Sequence, residues 1–383
     1  MPGTRVLSLL LLTIALVAGP AAPPLGAWGA SAHMLLTTAA VDHLQGPLGT
    51  FFKANRNFLI CYSILPDGWW GSPEMLPQLP KGLENPAGPN GPKEIGRHHF
   101  AEDADPYVEA KPPRQELGVS PMDRAAALQV FKLYVDKHGQ EALTRFGNEN
   151  HWFHGGLAEL PAAMLEKAGE LPWVIDERLD DMARALREGQ WSRALFMATV
   201  LAHYAGDAHV PLHTTVNFNG QFCPNPLIKG LHQRWEGRAI ELNKAEVRSF
   251  LAQQVRVAPA SPALPSDPAA LRAALFQQIA ETYQMTDDII RVDDELLKDR
   301  QPGRGDDQAA YSPEYYRKFY ERLGSGIKDQ LRKAVETVDG LWTIAWERAG
   351  RPQLPPGSVE TPPLVVIDYH NGRIVPFDPT HGP

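Results

Sequence analysis

Cysteine is scarce in this chain, which has two in 383 residues. A disulfide scaffold is therefore not what holds the fold, and a chain of this length can bury a substantial core without one. No apolar run reaches the roughly 20 residues that a membrane-spanning helix needs. There is also no internal repeat of about 20 to 50 residues, and the 43% hydrophobic and 21% charged residues exclude a collagen, a coiled coil or a disordered chain.

Basic residues are in the minority: 37 Lys and Arg stand against 45 Asp and Glu, so the formal net charge is −8. A chain with a net negative charge has no broad basic surface with which to bind duplex nucleic acid. A local basic cleft or a metal cluster could still hold phosphate. The composition therefore does not exclude a phosphodiester substrate.

The first 27 residues have the pattern of a secretory signal peptide. Arg5 precedes an apolar run from Val6 to Ala18, and small residues and prolines then lead to Leu25-Gly-Ala27. We expect cleavage near Ala27/Trp28 and a secreted or periplasmic mature protein. The alternative is an uncleaved membrane anchor, because Leu25 occupies a position before the cut where a small residue is preferred.

Apolar residues at three-to-four spacing predict an all-α fold, a compact multi-helix domain over residues 28–350. The ranges 175–186 and 191–204 are expected to form an antiparallel helix pair. Other helices are predicted at 33–46, from Ser120-Pro121 to near Gly139, from Asp267-Pro268 through Tyr283, and from Ser312-Pro313 to before Gly350, the last with a break near Gly324–Gly326.

Two stretches lack this helical pattern. Residues 71–93 are rich in Pro and Gly and predict a long loop. Residues 351–383 form a Pro-rich tail, in which strand-forming residues from Leu364 to Phe377 flank Asn371-Gly372 and predict a β-hairpin. A lone hairpin is marginally stable, so it must pack on the helical body or remain mobile.

Histidines and carboxylates recur at helical spacing. His203 and Asp207 lie four residues apart at the end of an apolar helix and therefore share one face, and His232 and Glu236 have the same spacing. His213 follows Asp207 after a proline, where the chain can turn back. A single pair of this kind is usually a surface interaction, but five such residues within 34 predict a metal site. Imidazole together with carboxylate favours zinc over calcium or magnesium.

These residues resemble the superfamily that joins bacterial zinc-dependent phospholipases C with the single-strand-specific zinc nucleases of fungi and plants. The resemblance runs in order up to about residue 350 and rests on Trp28-Gly-Ala-Ser-Ala-His33 as a mature N-terminus, Asp67, His99-Phe100, the 203/207/213 run and the 232/236 pair. It implies a zinc-dependent hydrolase acting on phosphoric ester bonds with a metal-activated water, a phosphodiesterase. We expect a monomer with no obligate protein partner.

The resemblance also implies three zinc ions with nine protein ligands. One ion would be held by Asp67, His99, His203 and Asp207; a second by His213, His232 and Glu236; the third by the α-amine and carbonyl of Trp28, by His33 and by Asp207 as a bridge. The amine becomes available only after signal-peptide cleavage, because an amide nitrogen has no lone pair to donate. Asp67 is the candidate for orienting or deprotonating the attacking water.

Several neighbouring residues compete for these roles. His98 adjoins His99, but the His-Phe order of the family motif favours His99. His209 is expected to be solvated or to support a ligand. Arg97 or Arg234 could add charge at the phosphate, although solvation at the surface is the commoner fate.

The two cysteines could meet if the metal ligands meet. Cys61 lies six residues before Asp67, and Cys223 lies ten residues after His213. Export permits a disulfide between them, and the alternative is two separate buried thiols.

The substrate stays open between single-stranded DNA or RNA and phosphatidylcholine. The spacing from Trp28 to His33 looks more like the nucleases. Glu236, where those nucleases usually carry Asp, and the Asn217-Phe218 segment look more like the phospholipases. An exported zinc-binding module without turnover is the alternative from another class of protein.

Overall fold

The structure is a computed structural model that describes residues 29–71, 73–88, 91–101, 122–149, 153–257, 264–298, 311–368 and 373–379. The predicted signal peptide, Trp28 and the predicted hairpin turn at Asn371-Gly372 lie outside these ranges. Among the described helices, none combines the length and the apolar composition that crossing a bilayer requires.

The described residues are mostly helical, and the prediction of an all-α fold with a small β-hairpin is confirmed. The α-helices are α1 Ala30–His43, α2 Gly46–Ala54, α3 Arg56–Tyr62, α4 Leu65–Gly71, α5 Arg124–His138, α6 Gln140–Glu149, α7 Leu160–Ala168, α8 Leu171–Arg187, α9 Trp191–Asp207, α10 Ala239–Leu242, α11 Lys244–Val257, α12 Pro268–Tyr283, α13 Thr286–Leu297 and α14 Pro313–Arg348. Short 3-10 helices span Pro73–Gln78, Gly91–Arg97, Pro211–His213 and Pro226–Ile228, and a π-helix spans Gln233–Arg238.

Helix α9 lies at the centre of the core. Each of its residues from Ala194 to Asp207 is buried, and the helix packs along α8 as the predicted antiparallel partner. Gly189, with φ +68°, makes the tight turn between the two helices. Helix α14 packs on both α8 and α9, and α1 packs on α9 and α14, so that the polar end of α9 is enclosed.

Capping residues explain where several helices begin. Asp123, Asp267 and Ser312 each accept a backbone N–H of the first turn with a side-chain oxygen, at the start of α5, α12 and α14. The predicted start of α5 at Ser120-Pro121 lies outside the described residues, and Gly139 ends that helix as expected.

The predicted break near Gly324–Gly326 is wrong, because α14 runs without interruption from Pro313 to Arg348. A methyl group at Gly326 would overlap the end of the side chain of Met285, the residue before α13, so the glycine makes room for that side chain against α14. Burial of Leu323 and Ile327 on the same stretch offsets the roughly 1 kcal/mol that a glycine costs in a helix.

The 71–93 segment is not a plain loop. Helix α4 ends at Gly71, and the 3-10 helices Pro73–Gln78 and Gly91–Arg97 occupy much of the chain between Gly71 and His98. Short 3-10 turns tolerate proline and need no apolar periodicity, which is why the composition did not reveal them.

The tail forms the predicted hairpin, with strands β1 Val365–Asp368 and β2 Arg373–Pro376 in antiparallel register. It packs on the helical body through α3: Cys61 Sγ donates to Val365 O, and Tyr62 OH donates to Pro363 O. Ile367 is buried against the core. This docking supplies the hydrophobic contact that a two-stranded sheet lacks by itself.

Candidate metal centre

Eight buried His, Asp and Glu side chains converge at the end of α9. Their ligand atoms form three groups, within each of which all atoms lie within 4.8 Å of one another: His33, His203 and Asp207; Asp67, His98 and His203; His213, His232 and Glu236. They come from α1, α4, α9 and the non-helical or tightly wound segments around residues 98, 213 and 233–238. Each group could hold a metal ion.

The carboxylate of Asp207 faces two of these groups. Its Oδ1 lies 3.5 Å from His33 Nε2, and its Oδ2 lies 2.9 Å from His98 Nδ1 and 3.4 Å from His203 Nε2. Oδ1 is buried and accepts no hydrogen bond from the described residues. A buried carboxylate oxygen in this state is costly unless a cation compensates it.

Backbone carbonyls orient two of the imidazoles. His203 Nδ1 donates to Ser63 O at 2.7 Å, and His213 Nδ1 donates to His98 O at 2.5 Å. A neutral imidazole that donates from Nδ1 keeps its Nε2 lone pair, and in both residues that atom points into the cluster. The fold thus presents Nε2 of His203 and His213 in the form that binds a metal.

The group around Glu236 is the tightest. His232 Nε2 lies 2.8 Å from Glu236 Oε2, and His213 Nε2 lies 3.0 Å from His232 Nε2. His213 Nε2 is also 3.6 Å from Glu236 Oε2. Two imidazole nitrogens and a carboxylate oxygen that converge in this way match the donors of a zinc site.

Burial determines the charge of these groups. Desolvation, together with the neighbouring carboxylates Asp67 and Glu236, raises the pKa of Asp207 well above its usual range. Desolvation lowers the pKa of His213 and of His232 to about 4, so both are neutral near pH 7. Neutral imidazoles beside mutually repelling carboxylates favour a bound cation.

His98, and not His99, belongs to the cluster, so the predicted assignment is corrected. Both ring nitrogens of His99 lie within hydrogen-bond distance of backbone carbonyls, Ile95 O at 2.8 Å and Lys167 O at 3.1 Å. The chain bends at His98, directly after the 3-10 helix, and Phe100 N donates to His213 O. In this conformation the ring of His98 faces Asp207, whereas the ring of His99 lies against the carbonyls of Ile95 and Lys167.

His33 reaches the cluster because α1 packs closely on α9. Its ring stacks on that of His203 with centroids 3.8 Å apart. A methyl group at Gly206 would lie 2.8 Å from Leu36 Cδ2 and 3.5 Å from His33 Nδ1. The glycine therefore makes room for the helix that carries His33.

Glu94 was not predicted from the sequence to be a functional residue, yet its hydrogen bonds stabilise the site. This fully buried carboxylate accepts Tyr204 OH and, at 2.6 Å, Asn85 Nδ2. The Tyr204 ring also lies 5.2 Å from that of His98. Glu94 thus joins the segment that carries His98 to α9, a contact that no helical spacing reveals.

The other candidates lie outside the cluster. His209 is buried and its Nε2 lies 2.9 Å from Thr337 Oγ1 on α14. Arg97 is half-buried, 3.6 Å from Glu94, and Arg234 is buried against Asp293, so neither is a solvated surface residue.

Of the two alternatives for the cysteines, the structure has the separate thiols, and Cys61 and Cys223 form no disulfide. Cys61 donates to the backbone of the tail hairpin, and Cys223 Sγ accepts Asn217 Nδ2 at 3.3 Å. The structure holds two thiols with different neighbours.

The residues present fit a metal ion by their chemistry: converging imidazole nitrogens, carboxylate oxygens and a buried Asp207 oxygen that accepts no hydrogen bond within the described ranges. Trp28, the remaining predicted ligand, lies outside those ranges. Comparison of the sequence with protein-family models and with curated proteins gives no match.

Proposed function

We propose that this chain is an exported zinc-dependent phosphodiesterase. The observation that carries the proposal is the carboxylate of Asp207, which faces two buried groups of metal-ligand type while a third group lies beside it. Mixed imidazole and carboxylate donors suit zinc, and adjacent metal sites are typical of enzymes that cleave phosphate esters.

Three zinc ions would divide the residues between them. Asp67, His98, His203 and Asp207 would hold one, His213, His232 and Glu236 a second, and His33, Asp207 and the amine and carbonyl of Trp28 a third. The backbone of Gly29 supports the last assignment, because a methyl group there would lie 3.0 Å from Gly237 Cα. The chain therefore enters α1 directly beside the turn that carries Glu236.

Zinc bound here would polarise phosphate oxygens and lower the pKa of a water molecule. Asp67 is the carboxylate placed to receive a proton, because its side chain is 9% exposed, more than that of Asp207 or Glu236. His203 Nε2, oriented by the bond from Nδ1 to Ser63 O, lies 3.5 Å from Asp67 Oδ1, so one zinc ion could bind both atoms and would fix the direction of the carboxylate. The enclosing helices limit access of other water.

The proposal is tested by product release from the zinc-loaded chain that begins at Trp28. Single-stranded DNA, single-stranded RNA and phosphatidylcholine vesicles are offered in parallel, with and without a chelator. We expect nucleotides or diacylglycerol, lost on chelation and recovered on adding zinc; the product distinguishes the nuclease from the phospholipase. Three bound zinc ions with no product from any diester would instead favour the non-catalytic zinc-binding module.

Extending the mature chain should remove one metal ion. With one alanine added before Trp28, the nitrogen of Trp28 becomes an amide and loses its lone pair, so we expect the zinc content to fall from three ions to two. Elemental analysis of the purified protein measures this. The chain beginning at Trp28, and the same chain with an alanine added after Pro383, are the controls. An extended protein that keeps three ions would refute the N-terminal ligand.

A further inference from the structure

Arg234 lies between two residues of the tightest metal group. It is on the π-helix Gln233–Arg238, two residues after His232 and two before Glu236, and it is among the largest fully buried side chains of the protein. Its guanidinium faces Asp293 of α13, with Nε 3.2 Å from Oδ1 and Nη2 2.5 Å from Oδ2. This is a bidentate ion pair away from solvent.

The other contacts of the guanidinium are with the segment just before His232 and with Tyr311, just before α14. Nη2 donates to Ile228 O at 2.8 Å, and Nη1 donates to Lys229 O at 3.0 Å and to Tyr311 OH at 3.1 Å. Asp293 in turn accepts Tyr315 OH from α14. One side chain thus joins the segment before His232 to α13 and to the start of α14.

The backbone is shaped to admit this group. Gly230 has φ +92°, and a methyl group there would lie 3.0 Å from Arg234 Nη1. Lysine could not replace the arginine, because a single ammonium group cannot make a bidentate pair with Asp293 and reach the carbonyls and Tyr311 as well. A π-helical turn is rare and needs such outside support, and turns of this kind are frequent at functional sites.

A buried ion pair is by itself weak evidence for stability, since the cost of desolvation can exceed the attraction. We propose that Arg234 is a positioning residue: its pair with Asp293 holds the π-helical turn so that His232 and Glu236 point at His213, and it thereby sets the metal affinity of that group. This inference rests on the metal binding of the proposed function but not on phosphoester hydrolysis.

Metal titration of two variants separates positioning from folding. Arg234→Lys should weaken binding of one zinc ion about 10- to 100-fold, the usual effect of removing support from a metal ligand. Arg234→Met with Asp293→Leu removes both charges, so no uncompensated charge stays buried and the protein should fold. We expect the double variant to unfold at a temperature close to that of the wild type when both are metal-free, and still to bind that zinc weakly.

If the pair of Arg234 with Asp293 only stabilised the fold, the double variant would recover full zinc affinity along with its stability, and this result would overturn the inference.

Arg178→Lys, which changes a buried arginine on α8 paired with Asp181, is the matched control and should keep all zinc. In a His232→Ala background, Arg234→Lys should lower zinc content no further. Wild-type protein that binds no metal would refute the proposed function itself, whereas full affinity in both Arg234 variants would refute this inference alone.

Discussion

Replacing His98 by alanine should abolish turnover and remove at least one metal ion, whereas replacing His99 by alanine should leave both nearly unchanged. His98 Nδ1 lies 2.9 Å from Asp207 Oδ2 and 3.2 Å from His203 Nε2, at the meeting point of two metal-binding groups. Removing a direct ligand should lower zinc affinity by more than the roughly 10- to 100-fold of a supporting residue. Metal analysis and the turnover rate on the identified substrate measure the effect.

The neighbouring histidine is a control of the same residue type. His99→Ala loses contacts with the carbonyls of Ile95 and Lys167, at about 1 kcal/mol for a hydrogen bond, so its unfolding temperature should fall slightly while its metal content stays at the wild-type value. The reverse outcome, with metal lost from His99→Ala and kept in His98→Ala, would restore the assignment made from the sequence.

The choice between these two histidines shows where sequence spacing stops being informative. His203 and Asp207 share a face because four residues make about one turn of α9, so their proximity follows from helix geometry alone. His98 and His99 lie in a non-helical segment, where the direction of each side chain depends on the backbone and on pairing of Phe100 with His213. No pattern in the sequence encodes that pairing.

The fold was predictable where local chemistry decides it. Pro, Asp and Ser at helix starts, Gly139 and the hairpin residues all act through their own backbone preferences. The continuous α14 was not predictable, because the side chain that packs on Gly326 comes from Met285, which precedes α13. The partners of Arg234 and Cys61 are also distant in the chain: Asp293 lies 59 residues from Arg234, and Val365 lies 304 residues from Cys61. Such contacts exist only once the helices have packed.

Asp207→Asn should abolish metal-dependent activity and yet stabilise the metal-free protein. The asparagine keeps the size of the side chain but removes the charge that serves two metal groups, so we expect loss of at least one zinc ion and a fall in turnover of more than about 100-fold. Without metal, burial and then repulsion by Asp67 and Glu236 make the charged form of Asp207 costly, which is why its pKa is raised well above the usual range. The neutral asparagine does not carry this penalty.

The sign of the pH dependence provides a separate check. The folded metal-free protein keeps a proton on Asp207 at pH values where the unfolded chain, with an aspartate pKa of about 3.9, has lost it. The free energy of unfolding of the wild type therefore decreases as pH rises above about 4, through the window between the unfolded and the folded pKa. His213 and His232 act in the opposite direction between their folded pKa of about 4 and the unfolded value of about 6.5, but both proteins contain them.

The advantage of Asp207→Asn over the wild type should accordingly grow from pH 4 toward neutrality, as measured by thermal unfolding in the presence of chelator. Asp339→Asn is the matched control, because Asp339 is also a buried aspartate, with a pKa raised by burial to about 6, but it pairs with His43 outside the metal groups. It should keep full zinc content and activity. An Asp207→Asn protein that holds three zinc ions, or that is less stable than the metal-free wild type at neutral pH, would show that the buried carboxylate is not there to bind metal.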